Sequence, residues 1–131
     1  MKGLDTNVLV RYLVRDDLRQ AAMADREIQS CVAAGEKLLL QPIVICELIW
    51  VLESAYEYQK QELVPVLERI FRTAQFEIAQ RDTVWRALAE YRTSKGDFAD
   101  YLLGEANQQA GATETLTFDK ALKTNRNFRL L

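Results

Sequence analysis

Four acidic side chains from separate segments of the chain are of the type that binds a hard metal ion. They are Asp5, Glu47, Asp100 and Asp119. Carboxylate oxygens are the ligands that Mg²⁺ and Mn²⁺ prefer in proteins. A divalent cation relieves the mutual repulsion of such acids, lowers the pKa of a bound water and stabilises the charge that grows on a phosphodiester. If the fold brings the four segments together, these residues predict metal-assisted phosphodiester hydrolysis.

Histidine is absent from the 131 residues, and this absence limits the possible chemistry. A serine–histidine or cysteine–histidine nucleophile is excluded. The two cysteines, Cys31 and Cys46, do not form a C-x-x-C pair, so a zinc site is not expected. Catalysis would therefore rest on carboxylates, hydroxyls, amines or a bound hard metal.

Length and composition favour one cytosolic domain over residues 1–131. The hydrophobic fraction of 49% is enough for a sizeable core. No apolar stretch is long enough to cross a bilayer, and Asp5 interrupts the N-terminal apolar run that a signal peptide would need. The net charge of −2 gives no general attraction to nucleic acid, although a divalent cation would reverse the sign of an acidic pocket.

The elements that must position the acids alternate between short apolar strands and longer amphipathic helices. The predicted strands are Lys2–Leu4, Lys37–Leu40, Phe76–Ala79, Thr115–Phe118 and Phe128–Leu131. The predicted helices are Val8–Val14, a second helix that is capped by Asp16 or Asp17 and ends at about Val32, Ile43–Tyr58, Gln61–Thr73, Asp82–Thr93 and Phe98–Ala110. This alternation predicts an α/β fold with a central parallel sheet and helices on both faces. Sites in such sheets lie beyond the carboxyl ends of the strands.

Three of the acids fall at that edge of the predicted sheet. Asp5 follows the first strand and Asp119 follows the fourth. Each also precedes a helical segment, so a helix N-cap is the competing interpretation. Glu47 lies one turn into a helix so apolar that we expect it to be deeply buried, where a carboxylate is seldom found without a partner. A solvent-exposed helix face is the alternative for Glu47.

The segment GDFADYLL supplies two more acids, Asp97 and Asp100, on one side of a helix. Asp97 is suited to an N-cap. Asp100 is expected inside the helix, where aspartate is a poor helix former, with open space beside Gly104 one turn later. Three polar residues next to the acids are candidates for supporting hydrogen bonds to the carboxylates, the attacking water or a substrate phosphate. They are Thr6, Asn7 and Thr117.

Four motifs together resemble the PIN domain, and in particular the small PIN-domain ribonuclease toxins of VapBC toxin–antitoxin pairs. They are LDTNVLV, CELIWVL, FADYLL and TFDKAL, and the resemblance covers nearly the whole chain in order. It implies an α/β/α sandwich around a parallel sheet, an endoribonuclease that depends on Mg²⁺ or Mn²⁺, and a homodimer. It also implies a VapB-like antitoxin whose C-terminal segment inserts a basic side chain among the acids.

The resemblance assigns metal-binding and catalytic roles to Asp5, Glu47, Asp100 and Asp119, with Asp97 as a frequent extra acid. Thr6 and Asn7, or Thr117, take supporting roles. Five basic residues are candidates for contacts with flanking RNA phosphates, although ordinary solvated charge is favoured for any one of them: Arg11, Arg15, Arg92, Lys95 and Lys120. Tyr101 is suited equally to stacking on a base or to the core.

Two other functions remain open. A receiver-like phosphoacceptor domain also clusters acids at a parallel sheet and binds Mg²⁺, with Thr117 and Lys120 in its threonine and lysine roles. A receiver, however, needs an acceptor aspartate after a middle strand, whereas the third strand here leads into glutamine and arginine. The second alternative is a non-catalytic interaction module with a PIN fold, and the intact acid set argues against it.

Overall fold

Five short strands and six α-helices alternate along the chain, as the apolar pattern predicts. The computed structural model describes all residues, Met1–Leu131, and they form two compact units, Met1–Ala79 and Gln80–Leu131. Every strand pairing is parallel, and each predicted strand and helix is present within two residues of its predicted bounds. The predicted α/β class with parallel strands and flanking helices is confirmed. A single domain over residues 1–131 stays a prediction.

The first unit contains a parallel sheet of three strands in the order β1-β2-β3. The strands are β1 (Lys2–Gly3), β2 (Leu38–Leu40) and β3 (Phe76–Ile78), and the helices are α1 (Thr6–Val14), α2 (Leu18–Ala33), α3 (Pro42–Tyr56) and α4 (Lys60–Phe71). β2 is the central strand, and its leucines Leu38 and Leu40 are fully buried. Its uniformly apolar sequence therefore matches its place between two neighbours.

The second unit begins with two helices that pack against each other, α5 (Arg81–Thr93) and α6 (Phe98–Gln109). Strands β4 (Thr115–Thr117) and β5 (Phe128–Leu130) form a parallel pair, and a 3₁₀ turn at Lys120–Leu122 lies between them in sequence. Phe98, Tyr101 and Leu102 give α6 its buried face. No helix in the chain has the length and apolar character required to cross a membrane.

Two helical residues have an unusual position for their type. Pro65 lies inside α4, on the exposed side of the helix. Proline lacks the N–H that would bond to the carbonyl one turn earlier, and water can reach that carbonyl on an exposed face. Leu103 of α6 is 50% exposed, whereas Tyr101 lies on the buried side of that turn.

A buried carboxylate in α6 organises the polar part of the second unit. Glu105 is fully buried and accepts hydrogen bonds from Arg86 at 3.3 Å and from Arg126 at 2.8 Å. Glu90 of α5 lies beside it and accepts a hydrogen bond from Asn125 on one oxygen, while its other oxygen is buried without a partner. Burial raises the pKa of Glu90 above its ordinary value, and the negative charge of Glu105 raises it further.

We expect Glu90→Gln to be more stable than the parent chain at neutral pH. Because the pKa of Glu90 is raised in the folded state, its neutral form is favoured there, and folding loses stability as pH rises through that pKa. Glutamine stays neutral and its amide can donate to Glu105. The gain in the free energy of unfolding should be at most about 0.5 kcal/mol, since Glu90 is only partly buried.

Urea unfolding at about pH 7.5 and about pH 4 checks this prediction. The difference between the two proteins should shrink towards the lower pH, where both carry a neutral side chain at this position. A stability difference that is independent of pH would show that ionisation of Glu90 is not its cause.

Candidate active site

Asp5 is placed by the junction between β1 and α1. It follows the strand and caps the helix, because its Oδ1 accepts a hydrogen bond from the backbone N–H of Thr6 at 2.8 Å. The cap satisfies one of the free amides at the helix start and fixes the orientation of the carboxylate. No hydrogen bond reaches its second oxygen, Oδ2, and the side chain carries no ion pair. Asp5 therefore acts as a helix cap and still presents a free carboxylate oxygen.

Thr6 connects Asp5 to Glu47 across two helices of the first unit. Its hydroxyl donates to Glu47 Oε1 at 3.3 Å, and its side chain is almost fully buried. Thr6 was predicted from the sequence as a supporting residue, and the structure brings it into contact with both acids. Asn7, the other supporting candidate, is exposed and makes no side-chain hydrogen bond.

Glu47 is exposed, contrary to the expectation of a deeply buried helix. Only one side of α3 is buried, and the opposite side presents Glu47 between two large apolar residues, Ile43 and Trp50, which are 66% and 68% exposed. Positions 43, 47 and 50 recur at the helical spacing and share one face. The carboxylate of Glu47 therefore stays hydrated, and it does not need a basic partner to offset the cost of burial.

The second unit holds its acids at the start of α6. Asp97 is the N-cap residue and Asp100 is the third residue of the helix, and together they form a capping box. In this arrangement Asp100 Oδ2 accepts from the Asp97 backbone N–H at 3.2 Å, while Asp97 accepts from the backbone of Asp100. Asp100 thus belongs to the first helical turn, where aspartate is favourable, and not to the interior as expected.

The expected open space beside Gly104 is also absent. A Cβ atom built on this glycine would lie 2.7 Å from the ring of Phe128 and 3.2 Å from Asn127. Glycine is required because β5 approaches the helix closely at this point. Tyr101 is buried in the core, where its hydroxyl accepts from the Gly96 backbone N–H at 2.7 Å, so the core interpretation is confirmed and stacking on a base is not available to it.

Asp119 follows β4 and caps the 3₁₀ turn. Its Oδ1 accepts from the backbone N–H of Ala121 at 2.9 Å, and its own backbone N–H donates to the hydroxyl of Thr117 at 3.0 Å. Thr117 therefore fixes the backbone that carries Asp119. The carboxylate is exposed, with one oxygen committed to the cap and none paired with a basic side chain.

Negative charge accumulates in the second unit around Asp100. Burial raises the pKa of the Asp100 carboxyl above its ordinary value, and the charges of Asp97 and Asp119 raise it further, although its bond to the Asp97 backbone opposes this. None of the five candidate acids of either unit forms an ion pair with arginine or lysine. Arg11 and Arg15, two of the predicted RNA contacts, are instead paired with Asp16 and Asp25.

The donor chemistry of these residues fits a hard divalent cation, since it consists of carboxylates with free oxygens and neighbouring hydroxyls. No group of three or more carboxylate, thiol or imidazole side chains is arranged to hold a metal ion in this structure. The structure brings Asp5 and Glu47 together through Thr6, and it brings Asp97, Asp100 and Asp119 within electrostatic reach. The metal-ligand role of each acid stays a prediction.

Comparison with known proteins gives two matches that cover most of the chain. The sequence model of the PIN domain family matches residues 3–126. A VapC ribonuclease of Aquifex aeolicus (strain VF5) is 27% identical over 123 residues, which cover 94% of this chain and 90% of that protein. The range matched by the family model extends through both units and includes the positions of all the candidate acids.

Proposed function

Because the chain belongs to the PIN domain family, we propose that it is an endoribonuclease of the VapC type, with Asp5, Glu47, Asp100 and Asp119 as its catalytic acids. The observation that carries the proposal is that these acids have no basic partner, although the chain contains 17 lysines and arginines. Surface acids that only stabilise the fold can form ion pairs with lysine or arginine. Carboxylates that bind a metal ion must instead keep an oxygen free for the cation. Similarity to a VapC ribonuclease supports the choice of RNA as substrate.

Mg²⁺ or Mn²⁺ is the cofactor that suits this donor set. The residues that would hold it are the four catalytic acids, with Asp97 as an additional acid near Asp100. The cation would supply Lewis-acid charge and a bound water of lowered pKa. Because the chain has no histidine, no imidazole is available to take the proton from the attacking water.

Hydrogen bonds within the chain fix the positions of the catalytic carboxylates, and a neighbouring acid adds negative charge to the site. The caps at Asp5 and Asp119 fix one oxygen of each carboxylate and leave the other free, so each ligand is held in position before substrate arrives. Thr6 sets the position of Glu47 relative to Asp5, and Thr117 fixes the backbone of Asp119. The negative charge of Asp97 lies close to Asp100, so a bound cation would be favoured more strongly there.

Two partners complete the proposal. A VapB-like antitoxin would inactivate the enzyme by inserting a basic side chain among the unpaired acids, which lack such a partner in the chain itself. We also propose a homodimer, as in the family that the sequence resembles. The family assignment argues against the receiver-like alternative, and an RNA cleavage assay distinguishes the proposed ribonuclease from a non-catalytic PIN-fold module.

Removal of divalent metal is expected to reduce RNA cleavage at least tenfold. The purified protein would be treated with EDTA and incubated with total cellular RNA, and new 5′ ends would be mapped by sequencing. Activity should return on addition of Mg²⁺ or Mn²⁺ in excess of the chelator, because the acids need a cation to act on a phosphodiester. Cleavage at the same sites and rate in EDTA would contradict metal dependence, and no new ends under any condition would favour the non-catalytic module.

A further inference from the structure

The second unit contains a cleft of about 630 Å³ whose charged side chains are almost all positive. It lies at the end of α5 and the start of the following loop, and the 3₁₀ turn and the residues after it complete its wall. Its basic residues are Lys95, Lys120, Lys123 and Arg126, and its single acidic residue is Glu90. We call this feature the basic cleft. It contrasts with the net charge of −2 on the whole chain.

The lysines of the basic cleft are not neutralised by the protein. Lys95, Lys120 and Lys123 are exposed and form no ion pair or side-chain hydrogen bond. Arg126 is held in place by Glu105 at 2.8 Å, yet its side chain is 58% exposed and still has donors that face solvent. Like charges gathered in a cleft repel each other and concentrate anions from solution.

The basic cleft adjoins the acids of the second unit along the chain. Lys95 lies two residues before Asp97, and Lys120 directly follows Asp119. The rigid caps at these two aspartates therefore also fix where the two lysines leave the backbone. An anionic polymer bound in the basic cleft would be positioned next to carboxylates that would otherwise repel it.

We propose that the basic cleft binds the phosphodiester backbone of the RNA and positions the strand beside Asp97, Asp100 and Asp119, an inference that rests on the proposed ribonuclease function. Its volume is in the range of ordinary ligand sites. Lysines contact phosphates as point charges without reading bases, so the basic cleft contributes affinity and position but no sequence preference. The bases that are recognised must then be read elsewhere.

A charge-matched pair of variants tests this proposal by RNA binding. In the cleft variant, Lys95, Lys120 and Lys123 are all changed to Gln. In the control variant, Lys2, Lys37 and Lys60, which lie outside the basic cleft, are changed to Gln, so the net charge falls equally. Binding of a single-stranded RNA with 2′-O-methyl groups, which resists cleavage, is measured by fluorescence anisotropy at several salt concentrations.

The cleft variant should bind the RNA about 10- to 100-fold more weakly than the parent chain at moderate salt. The slope of log affinity against log salt should fall by about 2, since three phosphate contacts on a single strand are removed. The control variant should bind within about twofold of the parent chain. Equal binding by the two variants, or no binding by the parent chain, would overturn the proposal.

Lysine acetylation of the unmodified protein gives a second measurement that does not depend on a variant folding. Bound RNA should protect Lys95, Lys120 and Lys123 from the reagent, while Lys2 and Lys37 should react at the same rate with and without RNA. Absence of protection would also overturn the proposal. The cleft variant could also cleave RNA at high protein concentration and bind it with unchanged affinity. This result would refute the proposed role of the basic cleft in RNA binding, but it would be consistent with the ribonuclease function.

Discussion

Asp5→Asn is expected to reduce the rate of RNA cleavage at least about 100-fold while the protein remains folded. Asparagine is as good an N-cap as aspartate, so its side-chain oxygen should still accept the hydrogen bond from Thr6. The substitution removes the negative charge that would bind a cation, and it leaves the cap in place. Loss of one group that stabilises charge in the transition state typically costs two to three orders of magnitude in rate, roughly 3–4 kcal/mol. Cleavage rates and thermal unfolding measured on the same preparations would check both parts.

Asp17→Asn is the matched control for this experiment. Asp17 also caps a helix, since it precedes α2 and accepts from the backbone N–H of Gln20 at 3.0 Å, but it belongs to no group of candidate acids. Its replacement should change neither stability nor cleavage rate appreciably. If Asp5→Asn retained full activity, Asp5 would be a structural cap alone, and the catalytic assignment of this position would be wrong.

The order of strands and helices could be predicted because the signals for these elements are local. The apolar run Leu38–Leu40 lies between Gly35 and Pro42, and the longer segments between the short apolar runs repeat at helical spacing. Helix starts were marked by aspartates that do cap helices, namely Asp5, Asp17 and Asp97. Boundaries were therefore recovered within two residues, and the parallel arrangement followed from the alternation itself.

The surroundings of individual side chains could not be predicted in the same way, because they depend on contacts between distant segments. The apolar composition of α3 suggested burial on all sides, but composition does not show that Ile43 and Trp50 face solvent beside Glu47. Likewise, a glycine in a helix indicates either open space or a close neighbour. At Gly104 the neighbour is Phe128, more than twenty positions further along the chain.

The ion pairs around the buried carboxylate of the second unit could not be predicted from the sequence. Glu105 lies in the segment GEANQQ, whose polar residues are typical of a solvated helix face, and only the fold places Arg86 and Arg126 over it. Two of the four basic residues in the basic cleft, Lys95 and Lys120, were predicted from the sequence as candidates for phosphate contacts. Lys123 and Arg126 were not, because their approach to the other two depends on the 3₁₀ turn and the residues after it.

Glu105→Gln is expected to lower the free energy of unfolding by about 2 kcal/mol. Removing one partner from a buried ion pair typically costs about 3–5 kcal/mol, because the remaining charge is left without compensation. Here the cost should be smaller, since Arg86 and Arg126 are 40% and 58% exposed and water can take over part of their solvation. It should nevertheless exceed the effect of a surface pair, because Glu105 itself is fully buried. Urea unfolding at neutral pH would measure the difference.

Glu114→Gln is the matched control, because it removes an exposed ion pair and so shows how much of the effect at Glu105 depends on burial. Glu114 forms a short contact of 2.7 Å with Arg129 in the same unit, but both side chains are exposed, at 40% and 55%. An exposed pair of this kind contributes at most about 1 kcal/mol. If the two substitutions destabilised the protein equally, Glu105 would be worth no more than a surface pair. A larger loss at Glu105 would show that burial of the carboxylate makes the difference. Because Glu105 holds Arg126 at the wall of the basic cleft, Glu105→Gln should also weaken RNA binding.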